Sequence, residues 1–331
     1  MQAQAVVFTD RGQVEFQEVT VPEPGPREVV VRVRHSWISN GTEGSFLRGE
    51  RIAGDTPYRP GDPWPFPQVA GYQKVGTVEW VGPEVSDLSV GEWVFATVSR
   101  VEGMFFPFGG HVSPAVTDRS QIWKLPPGLS PLAASGLVLT QVGYNCGTRP
   151  PVTPGEAAVV IGDGLVGHWT AQTLYWRGAR VILVGKHEDR LARFPEGERR
   201  HRVNIRRTDW AKAVQALAPE GVAIVVDTVG SVPAVEACYP LLRHNGHIVS
   251  AGFYGTAGQI DIQPMRAREL TLYTPAGWAR NRMDATLGLI ASGHLQTEPL
   301  ITHHFPASQA AAAWRLILER TEPVLGVILD W

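Results

Sequence analysis

Cysteine is scarce: only Cys146 and Cys238 occur in 331 residues. Two thiols cannot build a disulfide framework or a four-cysteine zinc lobe. Neither charge sign dominates. With 30 Lys+Arg against 32 Asp+Glu the formal net charge is -2, which argues against nucleic acid as the main partner, since phosphate binding needs a net basic surface. No segment reaches the roughly 18 unbroken apolar residues of a membrane span. The opening MQAQAVVFTD lacks the basic start and long apolar core of a secretory signal. A cytoplasmic chain without membrane or nucleic-acid partners is therefore expected. Apolar residues themselves are plentiful, at 44% against 19% charged, which excludes a disordered tail protein. The length suggests about two domains.

Glycine and proline punctuate the chain unevenly. In residues 1–125 short β-like runs (Val6–Phe8, Val14–Val19, Glu28–Val33, Val75–Val81, Trp93–Val98) alternate with Pro/Gly-rich breaks. This pattern predicts an all-β barrel or sandwich. Residues 49–67 read as a long polar, Pro-rich loop. From about residue 131 the rhythm becomes strand–helix. A helix is expected over Pro131–Cys146, then strand Ala157–Ile161, helix Gly167–Trp176, strand Arg180–Val184, helix Trp210–Leu217, strand Val222–Val226, helix Pro233–Leu242 and strand His247–Ala251. That alternation predicts an α/β unit, a doubly wound parallel sheet with helices on both faces. A further strand at 269–274, helices Met283–Ser292 and Ser308–Arg320, and a last strand Gly326–Leu329 complete the chain. The segments are 1–125 (β-rich), 126–265 (the α/β unit) and 266–331 (an edge strand, then a return to the first unit).

The strand Ala157–Ile161 runs directly into Gly162-Asp163-Gly164-Leu165-Val166-Gly167, a G-x-G-x-x-G turn that opens a helix. Gly162 suits the tight turn, Gly164 the close approach of backbone to a pyrophosphate, and Gly167 the close packing of helix on strand. The strand–turn–helix setting separates this site from an ordinary glycine-rich turn. The next strand normally ends in an acid that binds the ribose 2′-hydroxyl. Here it ends in Gly185-Lys186-His187. Gly185 is expected to leave room for a 2′-phosphate and Lys186 to neutralise it, with His187 or Arg190 assisting, so NADP is favoured over NAD. The plain alternative is a solvated basic turn, and Glu188 and Asp189 follow closely. The loops with Thr228 and Val229, and with Gly252, Phe253 and Tyr254, end two more strands and are expected to flank the cofactor.

These motifs resemble the medium-chain dehydrogenase/reductase superfamily over nearly the whole chain. Val29–Val33 with Ser39-Asn40-Gly41-Thr42-Glu43 is similar to its V-x-V-x-x-x-G-I-C-G-T-D segment. Pro67 to Val78 is similar to P-x-V-x-G-H-E-x-x-G-x-V. Val90-Gly91-Glu92-Trp93-Val94, Phe108-Gly109-Gly110-His111-Val112 and Leu300 to Pro306 match further family segments. Within the superfamily the chain resembles a zinc-free branch typified by bacteriochlorophyllide 3-hydroxyethyl dehydrogenase. The resemblance implies a Rossmann domain joined to a GroES-like catalytic domain, a nicotinamide cofactor, a small-molecule substrate and a homodimer paired through the strand near Leu270–Tyr273.

The resemblance also locates the family's zinc ligands on Asn40 (or Ser39), Tyr72 with neighbouring Gln73, and Val138 or Leu139. None can supply a thiolate–imidazole site, so no zinc is expected. The proton-relay hydroxyl falls on Thr42. Oxygen polarisation is then assigned to Tyr72, Thr42 and Asn40, with Lys74 tuning Tyr72 if both face one side of a strand. Alternatively, Tyr72 and Gln73 only fill the cavity of a lost metal, and Thr42 only caps a turn. His35 and His111 are expected to be structural. Trp64, Phe105, Phe106 and Phe108 line an apolar pocket or belong to the core. The expected activity is hydride exchange with a secondary alcohol/ketone. Enoyl or quinone reduction and non-catalytic NADP(H) binding are the alternatives, ahead of nucleic-acid binding through the basic run 199–207.

Overall fold

The computed structural model describes residues 1–255 and 258–331. Two compact units emerge, one of Met1–Val138 with Thr297–Trp331 and one of Leu139–Gln296. Residues 126–138 thus lie in the first unit, and residues 266–296 in the second.

In the first unit, strand Glu28–Trp37 is the hub of a seven-stranded sheet. It pairs antiparallel with Lys74–Val81, with Ala115–Asp118 and with the C-terminal strand Gly326–Asp330. Its Val29, Val30, Val31 and Val33 are buried in a core with Val78, Val94, Ala96 and Ile122. A smaller sheet joins Gln2–Asp10 to Gln13–Thr20, Gln68–Val69 and Val112–Ser113. Helix Ala310–Glu319 buries Trp314, whose ring meets Phe8 edge-on at 5.3 Å. Residues 49–67 are not wholly loop. Arg51–Ala53 pairs with Thr56–Pro57, and Tyr58 stacks on Trp64 at 4.0 Å.

In the second unit, six parallel strands lie in the order Arg200–Asn204, Arg180–Gly185, Ala157–Ile161, Val222–Asp227, Leu242–Ser250, Thr271–Tyr273. By rank along the chain this is 3-2-1-4-5-6, the dinucleotide-binding order whose switch point lies beside the first strand. Successive residues of that strand feed opposite cores: Ala157, Val159 and Ile161 to one, Ala158 and Val160 to the other. A strand buried on both faces reads as an unbroken apolar run.

Several expectations need correction. Arg200–Asn204, inside the basic run 199–207, is an edge strand, which the sequence pattern does not announce. Its neighbours absorb the charge. Arg199 and Arg200 lie over the Tyr175 ring at 4.5 and 4.8 Å, Arg202 pairs with Glu196 and Arg207 with Glu188. The helix expected over Pro131–Cys146 is two, Pro131–Ala134 and Leu137–Thr148. Between them Gly136 packs so tightly on the Trp37 indole that an added Cβ would sit 2.8 Å from it. The helix expected over Pro233–Leu242 stops at Glu236, and Leu242 already belongs to the next strand.

Candidate active site

The glycine-rich turn of the second unit behaves as its spacing requires. Gly162 has φ +118, which only glycine adopts readily, and an added Cβ would meet Thr228 Oγ1 at 2.3 Å. A Cβ on Gly167 would lie 1.9 Å from the Gly162 carbonyl oxygen, so helix Leu165–Trp176 can approach the strand only through a glycine. Gly164 has open space around its Cβ position. That opening, at the N-terminus of a 12-residue helix, fits the pyrophosphate of a dinucleotide. Leu165 is buried and Val166 half-buried, anchoring the first turn.

Across the switch point, Thr228 Oγ1 donates to the Ile161 carbonyl at 2.8 Å. The buried Asp227 carboxylate accepts from Val229 N, Gly230 N and Ser231 N at 2.9 to 3.1 Å, and from the Tyr254 hydroxyl. Burial, with the Asp227 hydrogen bond adding to it, drives the Tyr254 phenol well above its usual range. Gly230 and Gly252 are in such close backbone contact that a Cβ on Gly252 would fall 1.9 Å from Gly230 N. The loops holding Thr228–Val229 and Gly252–Tyr254 are therefore joined, with Val229 exposed at the surface.

The corner after Arg180–Gly185 differs from expectation. A carboxylate does stand there, contributed by the glycine-rich turn. Asp163 Oδ2 accepts from Lys186 N and His187 N, both at 2.7 Å, and Oδ1 lies 2.9 Å from His187 Nδ1. Arg190 comes within 3.7 Å of Oδ1. Burial tends to raise the Asp163 pKa, but the His187 and Lys186 hydrogen bonds prevail and hold it below its usual value. Gly185 leaves no vacant room, because a Cβ there would meet Asp163 Oδ2 at 2.5 Å. Lys186 is exposed. His168, directly after Gly167, is fully buried, and burial pulls its pKa down to about 4, so it is a neutral imidazole at pH 7.

In the first unit Tyr72 and Thr42 come together. The Tyr72 hydroxyl donates to Ser39 Oγ at 2.7 Å and is hydrogen-bonded to Thr42, the first residue of helix Thr42–Leu47. Burial lifts the phenol's pKa far above its usual range, and the nearby Glu43 charge adds to this. Glu43 itself is buried. Its Oε1 accepts from Ser39 N at 2.8 Å and its Oε2 lies 3.0 Å from His111 Nε2. His111 Nδ1 reaches Ser36 Oγ at 2.9 Å, which also accepts from Trp331 Nε1 at 2.8 Å. The Glu43–His111 pair thus holds the Ser39 loop through backbone, not through the serine hydroxyl. The individual motifs did not reveal this pair, since its members lie 68 residues apart.

Asn40 and Lys74 do not take their expected places. Asn40 donates to the Leu325 carbonyl at 2.8 Å, and its buried Oδ1 has no hydrogen-bond partner among the described residues, so the residue ties its loop to the chain before the last strand. Lys74 is fully buried and donates to the Thr97 carbonyl at 2.5 Å. The strand begins at Lys74, so its alternation does not reach back to Tyr72. Burial lowers the Lys74 amine to about 7.

Trp64 and Phe108 are exposed, while Phe105 and Phe106 are half-buried and in edge-on contact at 4.8 Å. Cys146 and Cys238 are buried, and burial pushes both thiols up to about 12. His35 pairs with Asp330 at 2.7 Å. Among the described residues no helix is long and apolar enough to cross a membrane.

A 3-2-1-4-5-6 parallel sheet carrying a glycine turn, together with a β-rich unit bearing a hydroxyl cluster, defines the two-unit fold of nicotinamide-dependent dehydrogenases. Comparison with known proteins agrees. Residues 166–292 match the family model described as zinc-binding dehydrogenase. Two bacterial proteins named 2-desacetyl-2-hydroxyethyl bacteriochlorophyllide A dehydrogenase are similar end to end. That of Rhodobacter capsulatus is 26% identical and that of Cereibacter sphaeroides 27%, each alignment covering 100% of this chain and 99% of the relative. A crystal structure of an Escherichia coli oxidoreductase/dehydrogenase of unknown specificity superposes with TM-score 0.87 at 21% identity, covering 100% of this chain and 99% of that one. The chain is similar to the zinc-type alcohol dehydrogenase-like proteins of the medium-chain dehydrogenase/reductase superfamily, through the family model over residues 166–292 and through relatives aligned along its whole length. It has the fold of the oxidoreductases on which it superposes.

The donor set at the expected metal positions does not fit zinc. Asn40 is bonded to Leu325, the Tyr72 phenol to Ser39, and Gln73 donates to the Trp37 carbonyl at 3.1 Å. Val138 and Leu139 are buried aliphatics. Among the described residues no group of three His, Cys, Asp or Glu side chains is placed to hold a metal ion.

Proposed function

We propose that this chain is a zinc-independent, NADP(H)-dependent oxidoreductase that exchanges hydride between the nicotinamide and a secondary alcohol or ketone. The observation that carries this reading is the Tyr72 hydroxyl, bonded to Ser39 and Thr42 where the family's metal-binding histidine would stand. The second unit binds the dinucleotide through Gly162, Gly164 and Gly167, and the cofactor, when bound, supplies or accepts the hydride. Tyr72 then turns its hydroxyl from Ser39 to the substrate oxygen. A protonated phenol stabilises a developing alkoxide by hydrogen bonding, the work a Lewis acid does elsewhere. Ser39 and Thr42 hold the ring oxygen in place, and Glu43 with His111 fixes the Ser39 backbone. Asn40 contributes by fixing the loop that carries Thr42.

The hydroxyethyl group in the names of the two full-length relatives is a secondary alcohol, which favours this substrate class. The preference for NADP rests on exposed Lys186 at the end of the second strand, set against the buried Asp163 carboxylate beside it. Conjugate reduction of an enone is the second reading. It is favoured by the neutral character of the Ser39–Thr42–Tyr72 cluster, because an enolate can take its proton from solvent.

The test is steady-state oxidation of NADPH and NADH against ketones, enones and quinones. Ketone turnover with NADPH supports the proposal and enone turnover the second reading. Tight cofactor binding with no turnover on any class overturns both and leaves a binding protein.

A further inference from the structure

We propose that Asp163, delivered by the glycine-rich turn itself, is a positioning residue that sets how strongly the protein discriminates between cofactors with and without a 2′-phosphate. The inference rests on the nicotinamide-cofactor reading above. In this fold the ribose 2′ position lies at the end of the second strand, here Gly185. The groups that would greet an anion there are the Lys186 and His187 backbone N–H groups, the His187 ring and Arg190. In this chain they already face an internal anion. Asp163 is only 5% exposed, and one oxygen, Oδ2, takes both backbone N–H groups at 2.7 Å. The other takes His187 Nδ1 at 2.9 Å and lies 3.7 Å from Arg190. Gly185 is matched to this arrangement, since a side chain there would collide with the carboxylate. The corner is thus closed by a charge of the same sign as a 2′-phosphate, and of its cations only Lys186 is exposed. Asp163 opposes the phosphate while Lys186 attracts it, and the cofactor preference is the difference between the two.

The geometry supplies a clean probe. Because a single oxygen accepts both backbone hydrogen bonds, Asp163→Asn keeps them with its amide oxygen, removes the charge, and sets an NH2 donor in place of the oxygen that faces His187 Nδ1. The dissociation constants of NADPH and NADH are measured by nucleotide fluorescence, alongside the melting temperature, for wild type, Asp163→Asn and Lys186→Ala. Asp163→Asn is expected to tighten NADPH about 5- to 10-fold while NADH changes less than about 2-fold, as loss of one nearby like charge implies. Lys186→Ala is expected to weaken NADPH alone. An unchanged NADPH/NADH ratio in Asp163→Asn overturns the inference, and so does equal weakening of both cofactors, which marks a merely structural residue. If Asp163→Asn fails to fold, Asp163→Ser, which retains one oxygen acceptor, reads the same ratio. A wild type that prefers NADH removes the NADP reading and leaves this inference standing, because the variant is judged on the change in ratio.

Discussion

The Tyr72 hydroxyl donates to Ser39 Oγ at 2.7 Å, while Ser39 N donates to the buried Glu43 at 2.8 Å. One serine thus joins the candidate acid to the Glu43–His111 pair behind it, by two different atoms. Tyr72→Phe is expected to lower kcat by about 100-fold or more with KM changed only a few-fold, the usual cost of losing a positioned proton donor. Ser39→Ala, which removes one of the phenol's hydrogen-bond partners and leaves Thr42, is expected to cost about 10-fold. Burial raises the Tyr72 pKa, so the group stays protonated as pH rises to 10. The kcat profile between pH 7 and 10 should therefore show no falling limb that Tyr72→Phe abolishes.

Lys74 is buried on a backbone carbonyl with its pKa lowered to about 7. The unfolded chain holds that proton up to about 10.4. Between about pH 7 and 10 the unfolded state binds the extra proton, so stability climbs with pH in this window and is lost as pH falls through 7. Lys74→Met is expected to flatten that climb and to gain about 1–3 kcal/mol at pH 7. Denaturant unfolding of both proteins at pH 7 and pH 10 checks the difference.

Gly164 and Gly167 separate binding from folding. Gly164 has ordinary dihedrals and open space, so Gly164→Ala should melt within about 2 °C of wild type yet bind nucleotide at least 10-fold more weakly, its methyl standing where the pyrophosphate approaches. Gly167→Ala forces a methyl against a carbonyl oxygen and should cost about 1–3 kcal/mol of stability as well. Equal behaviour of the two variants in melting and titration would contradict these roles.

Thr271–Tyr273 is the edge strand of the six-stranded sheet, with Leu272 38% exposed. An edge with open backbone groups is a ready template for a second chain. We expect a homodimer at micromolar concentration by light scattering, and a weakened one for Leu272→Lys, which sets a charge on the exposed edge strand.

The parallel sheet was legible in the sequence because each strand is an apolar run and each turn carries glycines that only a narrow geometry needs. The glycines of 162–167 announced their site for the same reason. Asp163 was visible as a member of the turn, yet its partners at 186 and 187 are brought to it only by pairing of the two strands. The Glu43–His111 pair and the anchoring of Asn40 by Leu325 are likewise long-range. Lys74 misled because period-two alternation was extended past the start of its strand. Arg200–Asn204 was hidden by its arginines, which an edge strand tolerates and an apolar pattern does not reveal.

The central claim is hydride transfer supported by the Tyr72 cluster without a metal. Its most direct test measures turnover and zinc content on the same sample, before and after exhaustive chelation, with NADPH and the best ketone of the panel. The account predicts full turnover at a zinc content far below one per chain. Turnover that falls in proportion to zinc removed, and returns when zinc is restored, would contradict it.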